Sequence, residues 1–291
     1  MTKQQFKELL NDQLLFLDGA TGSNLQKRGM PSGVCPEKWI LENEDIFIGL
    51  QKEYIEAGTN VLYAPTFTSN RIKLQEFGLE DQIGEINHKL VALSKKAAGG
   101  KAWIAGDLTM TGQQLKPMGT MDFEELVDIY KEQIIYLTEA GVDLLVVETM
   151  MSLQESRAAL IAAKEVSNLP VMVTMTFEAD GRALYGTDVL TAAITLESLG
   201  ADAFGINCST GPVQMIPMFE KIHRSVRQPA GYDPPGPGYE CKLRGAVPGG
   251  DQRGAGESAH HHLHHLHPLR CLPGSPADLP VHPHRTDLPD P

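Results

Sequence analysis

Polar side chains with chemical potential close a series of short apolar runs. Asp18 ends "LLFLDG" and opens "LDGATGSN". Thr66 and Asn70 sit in "APTFTSN", Asp107 ends "AWIAGDL", Glu148 and Thr149 follow "DLLVV", and Asn207 and Cys208 close "AFGINCS". A carboxylate at the end of an apolar run is costly unless it is paired or faces a site, which gives Glu148 and, more weakly, Asp107 a functional reading. Asp18 before Gly19 equally suits a turn cap. Gly19 and Gly22 do not form the G-x-G-x-x-G dinucleotide fingerprint. Cys208 is the only cysteine between Cys35 and Cys241. Alone it reads as an inert small core residue more readily than as a ligand, and no CxxC or HExxH pattern accompanies it.

The elements that must position these residues are punctuated regularly. "EYIEAGTNVLYAP", "YLTEAGVDLLVVET" and "LESLGADAFGIN" each end a helix in glycine, pass a polar residue and enter an apolar strand. Gly58, Gly141 and Gly200 suit the left-handed position that stops a helix. The spacing predicts six strands near 14–18, 60–64, 102–106, 143–148, 171–177 and 203–207. Between them lie helices such as 123–140, where Val127, Tyr130, Ile134 and Leu137 share a face and Asp122 with Glu125 suits a capping box. Alternating strands and helices make an α/β fold with a parallel sheet. Spacing does not separate an open doubly wound sheet from a barrel, which would need two further units. In either fold, ligands bind at the carboxyl ends of the strands, so two carboxylates, an amide and a thiol are expected to converge on one rim.

Composition bounds the rest. The 291 residues are 42% hydrophobic with a formal net charge of −12, which argues against nucleic acid and against an anionic membrane surface as partners. No apolar run is long enough for a bilayer, and "MTKQQFKELLND" has no apolar signal region. Four scattered cysteines suit reduced thiols in the cytoplasm. Near Ile222 the character changes. Residues 1–222 carry 18 Lys+Arg and 30 Asp+Glu, whereas the last 69 residues carry seven of each and hold 12 of the 19 prolines and nine of the ten histidines. This gives a first domain, 1–222, and a Pro/His-rich irregular tail, 223–291, without readable helical or strand period. The degenerate codons of "RQPAGYD" (227–233), shifted by one base, permit Asn-Leu-Pro-Val-Met, a pentapeptide that stands at Asn168 to Met172. A slipped reading frame near residue 223 is therefore expected. The run "HHHLHHLH" (260–267) is read as part of that tail rather than as a metal site.

Taken in order, "LDGATGSNLQKRGMP", "GVCPEKW", "APTFTSN", "VVETM" and "GINCS" followed by "GP" resemble the homocysteine S-methyltransferase family, above all the homocysteine-binding module of cobalamin-dependent methionine synthase. The resemblance covers about residues 10–222. It implies a (β/α)8 TIM barrel, of which about six βα units are readable here. It implies zinc held by three cysteines, one of them at Cys208 and two in a later "GGCC" motif, and a homocysteine thiol that attacks a donor's methyl group to give methionine. Asp18 and Glu148 would take the substrate ammonium, backbone amides of Gly19, Ala20 and Thr21 its carboxylate, with Thr66 and Asn207 also lining the site. The donor stays open: methylcobalamin on a corrinoid domain or protein, betaine or S-methylmethionine. No "GGCC" occurs in this chain, so the expectation is impaired zinc-dependent chemistry. The alternative is a non-catalytic, poorly folded, truncated or frame-shifted product. An unrelated α/β enzyme using Glu148 as base is a third reading.

Overall fold

The apolar runs pair in the order in which they occur along the chain. In a computed structural model, which describes residues 1–12, 14–208 and 210–225, one parallel sheet contains β1 (Val61–Tyr63), β2 (Trp103–Leu108), β3 (Leu144–Met150), β4 (Val171–Met175) and β5 (Ala203–Ile206). Their spatial order is β1-β2-β3-β4-β5, with Leu62 beside Ile104, Val146 beside Met172 and Val173 beside Phe204. A doubly wound sheet reverses its strand order part-way, whereas a barrel winds in one direction. The observed order is that of the barrel type.

Ten helices flank the strands among the described residues. Before β1 come α1 (Lys3–Asp12), α2 (Thr21–Lys27), α3 (Pro36–Glu42) and α4 (Glu44–Glu56). Then α5 (Arg71–Gln75) and α6 (Ile83–Ala98) lead to β2, α7 (Phe123–Glu139) to β3, α8 (Leu153–Val166) to β4, α9 (Val189–Ser198) to β5, and α10 (Pro212–Ser225) follows. All of the described residues belong to one compact unit.

The glycine punctuation has a second half. Gly58, Gly141 and Gly200 have φ of 101°, 76° and 89°, where a side chain would be strained. Two residues on, Asn60, Asp143 and Asp202 each accept a backbone N–H from the adjoining segment: Phe16 (2.9 Å), Ile104 (2.8 Å) and Val171 (2.9 Å). The polar residue after the helix stop thus fixes the start of the next strand against its neighbour.

Strands β2 to β4 are buried on both faces. Leu62, Ile104, Leu145, Val147 and Val173 pack under the helices in one cluster. Val61, Ala105, Leu144, Val146 and Met172 turn the other way and pack with Phe6 and Leu15. Helix α1 therefore closes the inner face at the amino ends of the strands. The Met1 amino group before it lies 3.9 Å from Asp143, and Lys3 at its start lies 3.8 Å from Asp202.

The structure corrects three expectations. The run 14–18 is only bridged, at Phe16 and at Leu17, which pairs in parallel with Val61, instead of forming a strand; the Asn60 side chain takes the Phe16 amide that a longer ladder would need. Asp122 stands before α7 but makes no cap bond, because its carboxylate pairs with Lys116 Nζ at 2.7 Å. Strand 171–177 ends at Met175, while the strand expected to end at 148 continues to Met150. Helix α10 ends at Ser225, the last described residue. The rest of the proposed tail, with "HHHLHHLH", Cys241 and Cys271, lies outside the described residues.

Candidate active site

A cavity of about 520 Å³ opens at the carboxyl ends of the strands. Asp18, Gly19, Ala20 and Thr21 form one wall, Tyr63 and Asp107 the floor, and Glu148, Thr149, Asn207 and Cys208 the opposite wall. Of the residues expected in the site, all but Thr66 line it. Thr66 is fully buried. Its hydroxyl donates to the Asp107 carbonyl (2.8 Å) and accepts from the Asp107 amide (3.1 Å), so it holds another wall residue in place rather than facing the cavity itself. Asn70, also at that strand end, caps α5 by accepting from the Lys73 amide.

Each wall is fixed from behind. Asp18 Oδ2 accepts the Tyr63 amide at 2.9 Å, and the Asp18 amide donates to the Val61 carbonyl at 3.1 Å. Tyr54 of α4 donates its hydroxyl to the Ala20 carbonyl (3.0 Å), and Asn24 donates to both groups. A Cβ on Gly19 would stand 3.0 Å from the Tyr54 ring, so glycine is what lets the loop lie against α4. Ala20 leads into α2, whose start carries no side-chain cap. The free amides of a helix start favour an anion.

The opposite wall is built on irregular backbone. The β3–β4 register shifts between Val147 and Met150, a bulge that re-aims Glu148 and Thr149. Thr149 and Cys208 have φ of 57° and 60°, a conformation that costs a non-glycine residue about 1–2 kcal/mol. Side chains brace it: Thr109 Oγ1 donates to the Glu148 carbonyl (2.8 Å) and Thr176 Oγ1 to the Asn207 carbonyl (3.3 Å). The Asn207 amide then joins the wall, donating to Glu148 Oε1 (3.2 Å), Thr149 Oγ1 (2.8 Å) and Cys208 Sγ (3.3 Å). Such strain concentrates at functional positions.

The electrostatics follow from burial. Burial pushes Asp18 well above the usual carboxylate range, and the Glu148 charge adds to this. Asp107 is raised in the same way, first by burial and then by Glu148, Asp18 and Cys208. Burial lifts Glu148 to about 7, although the Asn207 amide works against it. The Cys208 thiol is raised by partial burial, with Thr149 opposing and Glu148 assisting. Burial and the carboxylates also raise the Tyr63 phenol. Groups with such shifts in one cavity mark a functional site.

Several residues in the walls or behind them carry no sequence signal of their own. Glu37 lines the cavity and accepts from the Thr68 amide and hydroxyl and from the Cys35 thiol. Tyr63 sits inside a strand, and Tyr54 on a helix face, with nothing in their spacing to mark them. The zinc set expected from the resemblance is not completed here. Among the described residues Cys208 is the one thiol on the cavity wall, and no three His, Cys, Asp or Glu side chains are grouped to hold a metal. Cys35 is buried against Glu37, and no two cysteines are adjacent anywhere in the sequence.

Residues 15–242 match the family model "Homocysteine S-methyltransferase". Methionine synthases of Mycobacterium tuberculosis (strain ATCC 25618 / H37Rv) and Mycobacterium leprae (strain TN) are each 26% identical over 246 residues, covering 78% of this chain and 20% of theirs. The chain thus spans about a fifth of the length of these relatives. Among solved structures, the metallated form of the homocysteine methyltransferase MmuM from Escherichia coli superimposes with a TM-score of 0.64 at 19% identity, over 75% of this chain and 82% of that one. Its apo form gives 0.60 at 21%, over 74% and 80%.

Proposed function

Because the chain belongs to the homocysteine S-methyltransferase family, we propose that its rim cavity binds homocysteine as the acceptor of a methyl group. The observation that carries this is the Asn207 amide, which ties Glu148, Thr149 and Cys208 into one wall opposite Asp18. That arrangement places the Asp18 and Glu148 carboxylates and an uncapped helix start on one cavity. Asp18 and Glu148 take the ammonium, and the amides of Gly19, Ala20 and Thr21 take the carboxylate. Asn207 orients the ligand, which leaves the substrate thiol toward Cys208. Thr66 acts behind the wall, through Asp107.

A thiol with a pKa near 8.5 is mostly protonated at neutral pH, whereas the thiolate is the nucleophile. The family's three-thiolate zinc would supply that activation, but the described residues offer only Cys208. We therefore propose that homocysteine binding is retained and zinc-dependent methyl transfer is impaired. The non-catalytic alternative rests on the same missing thiols. The frame slip near residue 223 belongs to this proposal, and the nucleotide sequence around that codon tests it: a "GGCC" motif in another frame supports it. The cytoplasm is the proposed location, and no helix among the described residues is long and apolar enough to cross a membrane.

The experiment is calorimetric titration of the purified chain with homocysteine, alongside metal analysis and methyl-transfer assays. Methylcobalamin on a corrinoid protein, betaine and S-methylmethionine serve in turn as donors. The expected result is homocysteine binding, sub-stoichiometric zinc and no methionine. Stoichiometric tight zinc with methionine formation overturns the impairment. Absence of homocysteine binding overturns the reading of the cavity.

A further inference from the structure

The floor of the cavity holds a third carboxylate that the homocysteine reading leaves without a role. Asp107 is 5% exposed and lines the cavity, yet its Oδ1 has no hydrogen-bond partner. Its main chain is immobilised, since the Thr66 hydroxyl bonds both its amide and its carbonyl. Thr66 is held in turn by Gln133 of α7, whose Nε2 donates to the Thr66 carbonyl at 2.8 Å. The carboxylate is therefore fixed on a rigid polar frame at the cavity, with its Oδ1 buried and unpaired. Leaving a buried charged acceptor unpaired is expensive. Asn207 Oδ1, across the cavity, is likewise buried and unpartnered.

The missing partner must be a donor, and the wall does not supply it. No Lys, Arg or His lines the cavity among the described residues. The carboxylates are not grouped tightly enough to hold a metal. Several acceptors lining one cavity with no cationic side chain among them suit an organic cation whose donors point in several directions. A primary ammonium has three N–H donors.

We propose that Asp107 is a third acceptor for the ligand's primary ammonium group, beside Asp18 and Glu148, and so makes the cavity selective for an unsubstituted amine. This rests on the homocysteine reading and adds to it a residue and a specificity. Burial and its two carboxylate neighbours hold Asp107 well above the usual range. An arriving cation relieves the same repulsion that raises it.

The test compares the full chain with Asp107→Asn, an isosteric change that removes the charge and keeps the shape. Calorimetry with homocysteine is expected to show a loss of about ten- to a hundredfold in affinity, the range for a charged hydrogen bond. With 4-mercaptobutanoate, which has the thiol and carboxylate but no amine, the two proteins should agree within about twofold. On the unsubstituted chain alone, N-methylhomocysteine should bind at least about tenfold more weakly than homocysteine, a measurement that needs no variant. Equal loss for both thiols would show that Asp107 only shapes the cavity, and unchanged homocysteine affinity would remove it from the site; either result overturns the proposal. L-Norleucine separates the two readings. Asp107-dependent binding of norleucine without homocysteine binding keeps the ammonium site and overturns the thiol substrate. Binding of neither overturns both.

Discussion

The pushed-up carboxyl of Glu148 makes the stability of the fold depend on pH in a calculable way. Folding raises this group from 4.5 to about 7. The folded state therefore keeps a proton that the unfolded chain releases, and unfolding frees a proton between those values. The sign follows: the contribution is fully present below about pH 4.5, is lost as pH rises toward 7, and is flat above. At 1.36 kcal/mol per pH unit the whole loss is about 3 kcal/mol, of which about 1.3 kcal/mol falls between pH 6 and pH 8. pH 6 is the practical lower point, because the sequence pI is about 5.3 and proteins near zero net charge associate. Glu148→Gln keeps an acceptor for the Asn207 amide and removes the titration. Urea unfolding followed by Trp39 and Trp103 fluorescence should show the unsubstituted chain losing at least about 1.3 kcal/mol more than the variant from pH 6 to pH 8. Asp18 and Asp107 are raised in part by the Glu148 charge, so the variant should flatten their contributions too. Equal pH dependence in the two proteins would refute the buried, coupled carboxylates.

Gly19→Ala should cost about 1–3 kcal/mol and weaken homocysteine binding, because its Cβ would meet the Tyr54 ring at 3.0 Å; Gly22→Ala, with nothing within 4 Å inside α2, should instead be neutral or stabilising by up to about 1 kcal/mol. A thermal melt giving both the same sign would refute the close approach. Iodoacetamide at pH 8 should alkylate Cys208 before Cys35, because Cys208 is exposed while Cys35 is buried and pushed up to about 11. Peptide mass spectrometry reads the order, and earlier labelling of Cys35 would contradict it. Gln133→Leu should destabilise by about 1–3 kcal/mol, since it strips a donor from the Thr66 carbonyl and the Ser69 hydroxyl; a change under about 0.5 kcal/mol in urea unfolding would show the polar frame behind Asp107 to be slack.

What the sequence reveals is set by how local the controlling interaction is. The glycine stops at 58, 141 and 200 are local, because a left-handed residue ends a helix whatever surrounds it. The rim placement of Asp18, Asp107, Glu148, Asn207 and Cys208 follows from strand ends alone, since a parallel sheet presents its carboxyl ends to one side. The direction of a side chain at such an end is not local. Thr66 and Thr149 both follow apolar runs, but a turn buries Thr66 behind Asp107 while a bulge swings Thr149 into the cavity. No spacing rule distinguishes the two. Tyr63, Tyr54 and Glu37 were hidden for a related reason: each acquires its role from a partner 12 or more residues away or from the cavity's own shape. The missing cap at Asp122 is the same effect in reverse, where Lys116, six residues back, outcompetes a local motif.

The site and the fold are tied through opposite ends of the same strands. Asn60, Asp143 and Asp202 are spent at the amino ends, on backbone amides and on α1. Asp18, Asp107 and Glu148 stand at the carboxyl ends and line the cavity. The inner face between them is apolar: Ala105, Leu144 and Val146 are fully buried and cluster with Phe6 and Leu15. In a sheet of five described strands that burial depends on the helix underneath, because an arc does not cover its own concave side as a closed barrel does. Phe6 therefore supports the carboxylate cavity from the far end of the strands. Truncating it would open the apolar floor on which Asp107 and Glu148 rest, let water reach them, and lower the very carboxyl groups whose raised state distinguishes the site.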